Sequence, residues 1–167
     1  THDTEKYNFM VGNGIDKLFE RALPEEEKSK ENVLRVRKEF VPYYDIHNAD
    51  DSRPYPGIPE LLSYLQDAGI QIAVASNKYQ AATQKLIDHY FPEIHFTAVF
   101  GQREGIKVKP DPTVVFDILE VAKVTKEEVL YVGDSGVDMQ TAANAGVTAC
   151  GVTWGFRPRT ELEEFNP

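Results

Sequence analysis

Three short stretches of this 167-residue chain hold residues whose types and spacing could do chemistry. In V-L-Y-V-G-D-S-G-V-D, an apolar run from Val129 to Val132 ends at Gly133 and is followed by Asp134, Ser135 and Asp138. Two carboxylates four residues apart, at the carboxyl end of a strand reading as buried on both faces, suggest a divalent-cation site of the magnesium type. In V-A-S-N-K, Ser76 and Asn77 follow another apolar run and offer a hydroxyl, an amide and backbone N–H groups to a phosphate oxygen. In K-V-K-P-D-P, Lys109 precedes a proline-started helix, where its ammonium can neutralise a phosphate as a point charge. Each stretch alone has a plain reading: Asp138 as a helix cap, Ser76-Asn77 as a turn, Lys109 as a surface lysine. Their shared placement at strand exits and helix entries favours the chemical one, because ligands of open parallel sheets bind outside the carboxyl ends of the strands.

Such placement requires strands alternating with helices, and the pattern from Ile58 onward supplies them. Pro59 starts a helix with Leu61, Leu62 and Leu65 inward, closed by Gly69. Ile70 to Ala75 reads as a strand, Ala81 to Tyr90 as a helix, and Phe96 to Phe100 as a second strand. A helix after Pro112 carries Val115, Ile118, Leu119 and Ala122, and Thr125 and Glu128 have capping-box spacing before the Val129 strand. Asp138 to Ala145 is a helix stopped by Gly146, and Val147 to Val152 is the last strand. The fold class is α/β, a parallel sheet wrapped by helices. Ahead of it, residues 1–51 read as a charged helix pair with one apolar face each, Ile15, Leu18, Phe19 and Leu23 on the first helix and Val33, Val36, Phe40 and Val41 on the second. The segment N-A-D-D-S-R-P-Y-P-G, Asn48 to Gly57, is a linker, so residues 1–51 form a small accessory piece and 52–167 the core.

A net charge of −9 argues against nucleic acid and anionic membrane surfaces as partners. No stretch reaches the length of a membrane-spanning helix. The single cysteine, Cys150, lies in an apolar run and reads as a core residue; the expected location is the cytoplasm. Trp154 and Phe156 read as packing residues, and the four histidines show no ligand spacing.

These stretches, in this order, resemble the haloacid-dehalogenase superfamily of phosphotransferases, and within it the phosphoglycolate-phosphatase-like branch. V-A-S-N-K is similar to its second motif, which implies phosphate binding by Ser76 supported by Asn77. K-P-D-P is similar to the third, making Lys109 the catalytic lysine that balances charge around nucleophile and phosphate; Lys107 lacks the spacing to the proline. G-D-S-G-V-D is similar to the fourth, assigning Mg²⁺ coordination to Asp134 and support of the metal site to Asp138. G-N-G-I-D-K-L-F-E-R-A-L resembles the branch's helical cap, with Gly12, Asn13 and Gly14 as its substrate-specificity loop, and V-T-W-G-F-R also fits. The implied fold is a Rossmannoid core with a small helical cap, and the implied reaction is hydrolysis of a small phosphorylated metabolite, phosphoglycolate first.

One departure bears on all of this. The superfamily's first motif, D-x-D-G-T/V, holds the nucleophile and the general acid/base, and no D-x-D occurs in the sequence. The central first strand is therefore expected to be missing, with the core incomplete at both ends. Strands sit about 4.8 Å apart, so its loss leaves a slot of roughly twice that between the Ile70 and Val129 strands. The chain is expected to be an inactive fragment of a phosphatase, its slot filled by association with the missing amino-terminal segment, by a second copy, or by re-paired strands. A sugar-phosphate phosphatase or phosphomutase is the near alternative. A non-catalytic phosphate- or partner-binding module is the distant one. A receiver-like signalling domain fails on the order of its acidic and basic residues.

Overall fold

The computed structural model describes residues 2–167. The accessory piece folds as α1 (Thr4–Met10), α2 (Ile15–Ala22), a single 3₁₀ turn (Glu25–Glu27) and α3 (Lys30–His47). A third short helix thus precedes the expected pair. The α1–α2 turn needs its glycines: Gly12 and Gly14 have φ of +115° and +88°, a region costly for residues with a Cβ. Ser29 caps α3 by accepting from the Asn32 N–H at 3.1 Å. Phe19 is buried and meets Phe40 edge-on at 5.2 Å, and Phe40 stacks on Tyr44 at 5.3 Å. This aromatic row runs along the inner face of the cap toward the core.

The core follows as α4 (Ile58–Asp67), β1 (Ile72–Tyr79), α5 (Gln80–Tyr90), β2 (Phe96–Gln102), α6 (Thr113–Ala122), β3 (Leu130–Gly133), α7 (Gly136–Ala145), β4 (Thr148–Gly151) and α8 (Arg159–Glu163). Pro59 lies in the first turn of α4, and Gly146 closes α7 in the left-handed region at φ +72°. Thr125 and Glu128 form the expected capping box, around a 3₁₀ turn (Lys126–Glu128). The strands pair in parallel as β1 with β2 and β3 with β4, and among the described residues no ladder joins the two pairs. Helices join them instead: Val114 and Val115 of α6, Ala142 and Ala145 of α7, Tyr131 and Val147 form one buried cluster, against which Ala75 and Phe100 pack. The fold is the parallel, helix-wrapped α/β core that the alternation implies.

Three expectations are corrected. β1 runs on through Tyr79 instead of ending at Ala75. Its ladder skips from Ala75 opposite Phe100 to Tyr79 opposite Gln102, so Ser76, Asn77 and Lys78 bulge out opposite Gly101 alone. The Val129–Val132 run is buried on one face only: Tyr131 is 9% exposed, whereas Leu130 and Val132 are 59% and 56% exposed. β3 has β4 on one edge and the helices on one face, and no described element covers the other face. Trp154 and Phe156 lie more than half exposed in the loop after β4, and Cys150 is half-buried, so none of the three is a core residue.

The segment joining cap and core is tied down. Tyr90 Oη donates to the carbonyls of Ala49 and Ser52 at 3.0 and 2.9 Å. Tyr79 donates to the Asp45 carboxylate, and Lys85 to the Asp45 carbonyl. No described helix is long and apolar enough to cross a membrane.

Candidate active site

The ends of β1 and β3, the entry to α6 and the α1–α2 loop converge on one cleft of ≈ 340 Å³ between core and cap. Ser76, Asn77, Lys109, Asp134 and Asp138 all line it, with Gly12 and Gly14 from the cap loop. Positions as far apart in sequence as 12 and 138 therefore share one surface.

Lys109 is the most tightly bonded cation of the cleft. Its side chain is 11% exposed, and its ammonium donates to Asp138 Oδ1 at 2.7 Å and to the Ala75 carbonyl at 2.9 Å. Two of its three N–H groups are thus used across the space between β1 and β3, leaving one for a ligand. Asp138, 7% exposed, also accepts at Oδ2 from Ser135 Oγ at 2.6 Å, and Ser135 caps α7 by accepting from the Asp138 N–H. Burial pushes the Asp138 carboxyl up, but the Lys109 ammonium and the Ser135 bonds outweigh it and hold the carboxyl below its ordinary range. For Lys109, burial pulls down, and Tyr131 and Asp138 together outweigh that, so it stays charged above its ordinary range. Tyr131 beneath them is pushed up by burial.

Asp138 thus spends both oxygens on this chain's own donors, whereas Asp134 spends one. Asp134 Oδ2 accepts from the Phe156 N–H at 3.1 Å, and the half-buried carboxylate faces the cleft. Two glycines allow both placements. A Cβ on Gly155 would lie 2.0 Å from Asp134 Oδ2, and one on Gly133 would lie 2.2 Å from the Asp138 Cβ. Among the described residues no three His, Cys, Asp or Glu side chains cluster closely enough to enclose an ion. Mg²⁺ does not need such a cage, since it is commonly held by one or two carboxylates with waters and substrate phosphate oxygens. Asp134 fits that donor set as one ligand.

Asn77 differs from a simple phosphate donor. Its Oδ1 accepts from the Lys109 N–H at 2.8 Å, and its Nδ2 donates to the Lys109 carbonyl at 3.0 Å and the Gly12 carbonyl at 2.8 Å. The side chain therefore brackets the Lys109 backbone and ties the cap loop to it. Ser76 Oγ accepts from the Lys78 N–H at 3.1 Å, so its own proton is free to donate into the cleft. Of the cap loop, Gly12 and Gly14 line the cleft, but the Asn13 carboxamide turns away and accepts from Arg21 at 2.7 Å.

Sequence reading missed Tyr44, Lys78, Phe156 and Arg157, which also line the cleft. Lys78 donates to the Tyr44 hydroxyl across the cap–core boundary, and Arg157 Nη2 to the Val11 carbonyl at 3.2 Å. V-A-S-N-K contains Lys78 and V-T-W-G-F-R contains Phe156 and Arg157, but each marked the segment and not these side chains.

A model of the haloacid dehalogenase-like hydrolase family matches residues 1–152. A phosphoglycolate phosphatase of Mesorhizobium japonicum is 32% identical over 167 residues, covering 99% of this chain and 73% of its own length. One from Agrobacterium fabrum is 34% identical over 158 residues, covering 92% of this chain and 68% of its own. Among solved structures, one from Lactobacillus delbrueckii subsp. bulgaricus, provisionally called a phosphoglycolate phosphatase, superposes with a TM-score of 0.90 at 30% identity, over 98% of this chain and 77% of that one. Fold, ordered motifs and matches over nearly the whole chain agree: this chain belongs to the haloacid dehalogenase-like hydrolases.

Proposed function

We propose that this chain carries the phosphate- and metal-binding part of a Mg²⁺-dependent phosphatase for small phosphomonoesters, with 2-phosphoglycolate the leading substrate. The observation that carries this reading is the cleft in which Ser76, Lys109 and Asp134 meet, each with bonding capacity left over. The Ser76 hydroxyl donates to a phosphate oxygen, and the remaining N–H of Lys109 balances the phosphate's charge. Asp138 keeps Lys109 charged and aimed, and Asn77 fixes the Lys109 backbone. Asp134 would hold Mg²⁺, which when bound offsets negative charge on the phosphate oxygens. The cleft volume of ≈ 340 Å³ suits a small metabolite. The substrate follows the names of the relatives, and a cytoplasmic location follows its being a metabolite.

The attacking carboxylate is proposed to come from a segment outside these 167 residues, because no D-x-D occurs in the sequence and no ladder joins β1 to β3 among the described residues. An added strand between them would satisfy both edges and bring its residues beside Ser76 and Asp134.

Calorimetric titration with orthophosphate in the presence and absence of Mg²⁺ tests the binding half of this proposal. Binding should be Mg²⁺-assisted, and Ser76→Ala and Asp134→Asn should each weaken it by about tenfold or more, the scale of a lost charge-assisted hydrogen bond. Equal binding by all three proteins would refute the assignment.

A further inference from the structure

We propose that Arg157 reads a second anionic group on the substrate, a carboxylate one methylene beyond the phosphoester oxygen. The inference rests on the phosphatase reading of the same cleft and names the residue that selects the substrate's tail.

Three cations line the cleft: Lys78, Lys109 and Arg157. The Lys109 ammonium is held by Asp138 and the Ala75 carbonyl at the floor. Lys78 is taken up by the Tyr44 hydroxyl of α3. Arg157 makes one protein hydrogen bond among the described residues, from Nη2 to the Val11 carbonyl; its Nε is 3.9 Å from Glu161 Oε1, too long for another. Yet its side chain is only 13% exposed, and its guanidinium lies 5.0 Å from the centre of the Phe9 ring, so its direction is fixed by α1 and the cap loop. A guanidinium that is held in place but mostly unbonded is a donor set awaiting an acceptor, and its planar fork matches a carboxylate.

Its height in the cleft agrees. The phosphate seat is at the floor, on Ser76, Lys109 and Asp134, whereas Arg157 bonds the roof at Val11. Arg157 nonetheless directly follows Phe156, whose N–H touches Asp134. The phosphate seat and the guanidinium therefore line one cleft, joined through the loop after β4.

The test compares binding of 2-phosphoglycolate with binding of ethyl phosphate, which has a methyl in place of the carboxylate, to the chain itself in Mg²⁺. The native protein should prefer 2-phosphoglycolate. In Arg157→Gln that preference should fall by about tenfold to a hundredfold, while ethyl phosphate still binds and so reports a folded cleft. Arg157→Lys should recover part of the preference, and Lys78→Gln should keep it. Loss of the preference in Lys78→Gln and its survival in Arg157→Gln would overturn the proposal. So would a native protein with no preference, although the phosphatase reading would then stand. Failure to bind either phosphomonoester would overturn both.

Discussion

Lys109 and Asp138 form the one strongly buried ion pair of the site, at 2.7 Å with side chains 11% and 10% exposed. Removing one partner strands the other, so Lys109→Met should cost about 3–5 kcal/mol in urea unfolding. The double variant Lys109→Met/Asp138→Asn should cost less than Lys109→Met alone, because no bare buried carboxylate remains. The pair also sets a pH window. The folded Asp138 carboxyl lies below its ordinary 3.8, so its contribution is present above that value and lost as pH falls through the lower folded value. The folded Lys109 lies above its ordinary 10.5, so its contribution is present below that value and lost as pH rises through the raised one. Unfolding free energies measured across pH should show both losses in the native protein, and Asp138→Asn should flatten the acid loss. At this scale the meeting of Ser76, Lys109, Asp134 and Asp138 in one cleft was legible in the sequence, because each lies just after an apolar run or at the approach to a helix. The bracket made by Asn77 and the fixed placement of the Arg157 guanidinium were not, since both depend on contacts to a loop more than sixty residues away.

Among the elements, the bulge in β1 and the loop after β4 position the chemistry. The bulge turns Ser76–Lys78 out of the ladder, and Gly101 opposite makes room: a Cβ there would lie 2.6 Å from the Lys78 carbonyl. A short apolar run ending in Ser-Asn reads equally as a strand that stops or one that bulges, so the extension to Tyr79 was not legible. Asn77→Ala removes three hydrogen bonds linking the bulge to Lys109 and to the cap. It should cost about 1–3 kcal/mol, measured by thermal unfolding, and speed hydrogen exchange at residues 12–14. Gly155→Ala places a methyl against the Asp134 carboxylate. Mg²⁺ binding should fall by at least about tenfold in calorimetry, with little change in unfolding midpoint, because the loop is exposed and can shift. The helices were read more fully than the strands: capping residues and prolines mark their ends locally, and α6, α7 and their caps lie close to where the pattern puts them.

For the whole molecule, alternation of strands and helices was enough to read an α/β core, and turn formers at 48–57 enough to place a break between helices, which the structure has between α3 and α4. The number of strands in one sheet was not legible from periodicity, which says that a strand is buried or exposed but not what lies beside it. Here two separate parallel pairs are joined through α6 and α7, and Lys109 at the site bonds both the Ala75 carbonyl of β1 and Asp138 of α7. β3 exposes Leu130 and Val132 because nothing described covers that side. The central claim is that this cleft is a phosphatase site needing an attacking carboxylate from elsewhere. The most direct test is Mg²⁺-dependent phosphate release from 2-phosphoglycolate, by this chain alone and by this chain fused behind a D-x-D-bearing strand from a relative. The predicted result is release only by the fusion, abolished by Lys109→Met. Release by the chain alone, at a rate comparable with the fusion, would contradict it, because one of its own side chains would then be attacking phosphorus.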